Sequence, residues 1–142
     1  MVTIQQFEYF QLDDNAFGNT KILVSTMPYV IGEVFIDEVL KGDAIWLNAV
    51  VGGVDNNKGC ISPYITFNLY KGNVFIPGKE IYFAPLDADK AGDVTNVPIS
   101  YVDSIDKGAR NVRYVLAVQI DEGIQNVFIR GPITFTALQF RP

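Results

Sequence analysis

The residues best placed by type and spacing to do chemistry are carboxylates. The run Asp87-Ala88-Asp89-Lys90-Ala91-Gly92-Asp93 sets acids at positions one, three and seven around a glycine, an echo of a calcium loop. Position five is Ala91 and position twelve is Pro98, so two oxygen ligands of that motif are missing, and Lys90 offsets the charge. The segment reads as an Asp-rich turn, and no metal ligand is assigned. Three acidic pairs invite a glycosidase reading: Asp37 with Glu38, Asp103 with Asp106, and Asp121 with Glu122. Such an enzyme needs two carboxyls facing one another across about 5–10 Å. Neighbours on a regular strand point to opposite faces, which rules out Asp37 with Glu38, and the other two pairs read as turn residues.

The remaining catalytic vocabulary is thin. There is no histidine, which removes the commonest general base and metal ligand. Cys60 is the single cysteine, so an internal disulfide and a thiolate metal site are both impossible. It reads as a small semi-apolar residue at a strand start, with an intermolecular disulfide or a reactive thiol as its functional alternatives. No Gly-x-Ser-x-Gly elbow, phosphate loop or dinucleotide fingerprint occurs. No catalytic residue and no cofactor are expected.

Aromatic side chains are the more promising currency. Trp46 falls on the face opposite Ile45 and Leu47, and Tyr64 and Tyr70 fall opposite Ile65 and Phe67. If those faces point outward, they suit contact with neighbouring subunits, or stacking on sugars with Tyr82 and Tyr101. Phe7, Tyr9 and Phe10 crowd the first dozen residues. That stretch is either an ordinary first strand or an arm that adds to a neighbour's sheet edge. The division expected is residues 1–19 as strand or arm and 20–142 as the folded domain.

These residues must be positioned by strands. Period-two alternation dominates, and helical periodicity is almost absent. Residues 112–120 alternate Val112, Tyr114, Leu116, Val118 and Ile120 against Arg113, Val115, Ala117 and Gln119. Residues 45–51 alternate in the same way, and so do 33–40, with Val34, Ile36 and Leu40 on one face. Further strands are read at 3–12, 21–27, 64–70, 74–76, 80–83, 97–102, 126–129 and 133–140. Turns are expected at Lys41-Gly42-Asp43, Lys71-Gly72-Asn73, Pro77-Gly78 and Gly131-Pro132, with a loop over 52–59 and a longer one over 85–96. Many short strands with turn signals about every 8–12 residues predict an all-β, antiparallel, two-sheet jelly-roll sandwich. A chain of 142 residues suits one such domain.

Bulk composition narrows the partners. The net charge is −5 and the basic residues are scattered, which argues against a nucleic-acid partner. No apolar run approaches the ~20 residues of a membrane helix, and residues 1–12 lack the plan of a signal peptide. Only 19% of residues are charged, against roughly a quarter in ordinary domains. That deficit points to apolar surface meant for a partner.

Four segments carry a family resemblance: 41–52 (KGDAIWLNAVVG), 65–72 (ITFNLYKG), Tyr101-Val102-Asp103 with 113–120 (RYVLAVQI), and 131–138 (GPITFTAL). In that order they resemble jelly-roll exosporium and spore-surface proteins of spore-forming Firmicutes, whose heads are of the tumour-necrosis-factor type. The resemblance spans about residues 33–140. It implies a self-assembling structural protein, a homo-oligomer or fibre, on a spore surface after synthesis in the mother cell. The chain departs from the family in having neither a collagen-like stalk nor a cysteine-rich leader. Two other roles fit the residues: a carbohydrate-binding module with a glycan ligand, and a phage or virion decoration protein.

Overall fold

The computed structural model describes residues 1–12, 21–56, 64–87, 97–120 and 127–142. Nine strands occupy them: β1 (Thr3–Leu12), β2 (Lys21–Leu23), β3 (Tyr29–Val39), β4 (Ala44–Asn56), β5 (Tyr64–Lys71), β6 (Tyr82–Asp87), β7 (Val97–Ser104), β8 (Ala109–Ile120) and β9 (Val127–Arg141). One antiparallel sheet runs β1-β9-β4-β7, with β2 also on β9, and the other runs β3-β8-β5-β6. The two pack face to face as a jelly-roll sandwich, the architecture the alternation predicts.

The core is the inward half of each alternation. Ile45, Leu47, Ala49 and Val51 of β4, with Ile129, Ile133, Phe135 and Ala137 of β9, meet Ile65, Phe67 and Leu69 of β5 and Tyr114, Leu116 and Val118 of β8. Phe67 and Phe135 are wholly buried, each worth roughly 1.5–3 kcal/mol in apolar transfer. Pro98 opposes Val50 on β7, which is an edge strand. An edge is where a residue without an N–H is tolerated.

Several local expectations are corrected. Gly131-Pro132 does not divide two strands; β9 runs through it. The ladder with β4 slips by one residue there, and Gly52 makes this possible. A Cβ on Gly52 would stand 2.6 Å from the Gly131 carbonyl oxygen. The loop expected from residue 52 begins later, because β4 continues to Asn56, and β6 takes residues 85–87 from the longer loop. At the end of β3 the alternation breaks: Val39 is buried and Leu40 exposed, the reverse of the simple pattern.

Residues 74–76 are not a strand either. Gly72, at φ +97°, turns the chain back, and Phe75 packs edge-on against Tyr70 at 5.7 Å. Phe75 thereby covers a small apolar cluster of Tyr70, Val115 and Ala117 on the outer side of the second sheet. The Tyr70 hydroxyl is buried with no hydrogen-bond partner among the described residues. Burial, and the charge of Glu80, push its pKa above the ordinary tyrosine value. An unmet buried hydroxyl costs about 1–3 kcal/mol, so Tyr70→Phe is expected to raise stability, by up to about 1 kcal/mol. A urea midpoint that falls instead would show that the hydroxyl is bonded.

Candidate functional site

The outer face of the β1-β9-β4-β7 sheet carries the site. Registers place its outward residues in rows across four strands. Phe7 opposes Leu138, Leu138 opposes Trp46, and Trp46 opposes Val102. One row along stand Ile4, Phe140, Ala44 and Ser104, and on the other side Tyr9, Thr136, Asn48 and Ser100. A fourth row has Gln11, Thr134, Val50 and Pro98. None of these side chains is charged. Strands lie about 4.8 Å apart and alternate residues about 6.7 Å along them, so the face covers on the order of 500 Å².

Exposure makes the face unusual. Ile4 is 64% exposed, Phe7 56%, Tyr9 67%, Trp46 41%, Val50 46% and Val102 50%. Contiguous exposed apolar surface beyond a few hundred Å² marks an interaction site. Polarity within the face is mild and local: the Trp46 indole N–H donates to Ser100 Oγ at 3.0 Å, and the Thr136 hydroxyl donates to the Asn48 carbonyl at 3.4 Å. Such groups enter an interface cheaply, because their hydrogen bonds are already made.

The outer face of the other sheet is different. Arg113 pairs with Glu33 and reaches over Phe75 at 5.0 Å, and Asp37 is exposed nearby. Charge is therefore absent from these four rows, which end before Arg130 on β9, and present on the counterpart face.

A buried polar clasp locks the end of the site's sheet. Asp43, 2% exposed, accepts from Arg141 Nε at 2.8 Å and Nη2 at 2.9 Å, from Gln139 Nε2 at 2.8 Å and from the Leu40 amide at 2.8 Å. The Arg141 hydrogen bond, helped by those of Leu40 and Gln139, holds the Asp43 carboxyl far below the usual carboxylate range against the opposing effect of burial. The clasp joins the β3–β4 turn to the C-terminal end of β9, and so fixes the register of Leu138 and Phe140. Asp103 has a comparable structural role: it accepts from the Tyr114 hydroxyl at 2.6 Å and pairs with Lys71 at 2.8 Å. Burial, with Asp103 beside it, raises the Tyr114 pKa well above the ordinary value.

The six aromatic positions read from sequence separate. Phe7, Tyr9 and Trp46 come together on the uncharged face. Phe10, grouped with them in the sequence, points to the other side of β1 and lies against Gly32. Tyr64 is exposed on the outer face of the other sheet. Tyr70 is fully buried beneath Phe75 and is no surface residue. Tyr82 and Tyr101 stack on each other at 5.2 Å instead of joining Trp46. Cys60, the pair Asp121 and Glu122, and the Asp-rich run after Asp87 lie outside the described residues.

Comparison with known proteins gives folds without a family. No protein-family model matches the chain, and no curated protein matches it. A solved structure of Eiger TNF from S. frugiperda superposes with a TM-score of 0.51 at 13% identity, over 97% of this chain and 94% of that one. The likeness is one of fold. The VP2 subviral particle of infectious bursal disease virus gives a TM-score of 0.47 at 11% identity, over 96% of this chain. This chain spans only about a third of that VP2 chain, 36%. The C-terminal domain of EclA, a sugar-binding protein, gives 0.40 at 11% identity, over 92% of this chain and 79% of that one.

Proposed function

We propose that this protein is a non-enzymatic structural subunit that assembles with copies of itself through the outer face of the β1-β9-β4-β7 sheet. The observation that carries the reading is the uncharged, aromatic-bearing face, flanked by a counterpart face on which charge is retained. A second copy is the partner best matched to it. A symmetric contact buries the same patch on both sides, and an uncharged patch meets its own image without like-charge repulsion. Stable interfaces bury about 800 Å² per partner; the flat face supplies most of that, and its strand margins supply the rest. The resemblance of four sequence segments to jelly-roll spore-surface proteins supports a spore-surface layer or extracellular fibre as the setting, with the symmetric pair as its repeating unit.

Trp46 reports on this directly, being the single tryptophan and half-exposed on the face. Its emission is expected to shift to longer wavelength on dilution, as subunits separate and water reaches the indole. A panel of glycans is expected to leave it unchanged. A glycan that quenches Trp46, with no dependence on protein concentration, would replace self-assembly with sugar binding as the function of this face.

A further inference from the structure

Strand β1 is attached to the sandwich in an unusual way. Among residues 1–11, none belongs to the buried core, and Phe10 packs against its margin. Two of the inward positions of β1 are Gln6 and Glu8, which hydrogen-bond each other at 2.8 Å. Phe10 is its one inward aromatic, and beside it a cleft of about 290 Å³ opens toward Tyr29, Gly32 and Arg113 of the other sheet. The strand is held by its ladder with β9, by Phe10 at the margin of the core, and by Gln6, whose side-chain oxygen accepts from the Asp37 amide of β3 at 3.0 Å.

The connection of β1 to the rest of the chain is equally telling. β1 and β2 run in the same direction along the same partner: Leu12 pairs with Ile133, and Lys21 pairs with Arg130. Three residues along β9 amount to about 10 Å. Eight residues, 13–20, lie between Leu12 and Lys21, enough for about 30 Å of extended chain. The tether is far longer than pairing within one chain demands, and β2 has its own pairing with β9, separate from that of β1.

We propose that β1 is exchanged between copies, β1 of one chain pairing with residues 133–141 of β9 in the next. This rests on the self-association proposed above and names the strand that performs part of it. Exchange preserves every β1–β9 pair, so the transfer itself costs little. It also carries Ile4, Phe7 and Tyr9 with the strand, so each uncharged face is built from two chains. The occupant of the β9 edge is a second copy because the register of β1 against β9, unbroken from Gln6–Gln139 to Leu12–Ile133, is specific to this sequence.

Disulfide trapping tests the exchange. In a Cys60→Ser background, one variant carries Glu8→Cys with Ala137→Cys, and another carries Gln11→Cys with Thr134→Cys; both pairs are directly opposed. Pairs three apart on an antiparallel ladder are of opposite type, one hydrogen-bonded and one not, so both spacings are sampled. After oxidation and denaturation without reductant, exchange gives most linked chains as dimers or longer ladders, with residue 8 joined to 137, or 11 to 134, across chains. Links confined to single chains overturn it, and so does the absence of either link. Sedimentation before oxidation separates the two readings. An assembly with only internal links loses the exchange and keeps the face contact; a monomer with only internal links loses both.

Discussion

Leu138→Lys is expected to weaken self-association sharply and to leave the subunit folded. Leu138 stands at the centre of the uncharged face, between Phe7 and Trp46. In the free subunit a lysine stem lies along the sheet and its ammonium reaches water, so folding tolerates the change. In the assembly that ammonium has no carboxylate within the face to pair with and must be desolvated. A central position of this kind is worth about 2–4 kcal/mol, which weakens association some thirtyfold to a thousandfold. Tyr64→Lys is the control on the opposite sheet, where Tyr64 is 55% exposed and Leu138 is half-buried. It is expected to leave the solution mass unchanged. Equal loss from both substitutions would assign assembly to general surface hydrophobicity and not to one face.

Asp43→Ala is expected to destabilise the fold by about 2–3 kcal/mol. The substitution removes the acceptor shared by Arg141, Gln139 and the Leu40 amide. Arg141 is one-third exposed and regains water, which keeps the loss below that of a fully buried pair. The pH dependence follows from the depressed carboxyl. The native value lies below the unfolded one, about 4, so the unfolded chain binds the extra proton as pH falls. The contribution of Asp43 is fully present above about pH 5 and declines as pH drops toward the native value. Urea midpoints for wild type and Asp43→Ala should therefore differ most near neutrality and converge in acid. A gap that stays constant between neutrality and acid would mean that Asp43 contributes packing, not charge.

Much of this fold is legible in the sequence because alternation is a direct physical consequence of strand geometry. Ile45, Leu47, Ala49 and Val51, and the even-numbered residues from Val112 to Ile120, are buried as their spacing requires. What alternation does not reveal is where a chain doubles back. Tyr70 continues the outward pattern of β5, yet it is buried, because Gly72 returns the chain and Phe75 closes over it. Gly131-Pro132 reads as a break from local rules, and β9 passes through because Gly52, distant in sequence, leaves room for its backbone.

The candidate site was legible in half. Phe7, Tyr9 and Trp46 stand out as aromatics, whereas Val102 and Leu138 do not, since single aliphatic residues on strands ordinarily read as core. A signal was nevertheless present. The outward positions of 98–104, 134–140 and 44–50 contain no Asp, Glu, Lys or Arg, although such positions on strands facing water usually carry them. Which strands lie side by side was the missing element. Joining β1 to β9, β9 to β4 and β4 to β7 requires long-range topology, and only that order turns four unremarkable alternations into one face.

If this face holds copies of the chain together, sedimentation of the unmodified protein across a range of concentrations shows it. The expected mass is a multiple of the 15.8 kDa chain, or a distribution of longer assemblies, and it falls toward the single chain on dilution. A mass of one chain at every concentration would contradict self-association.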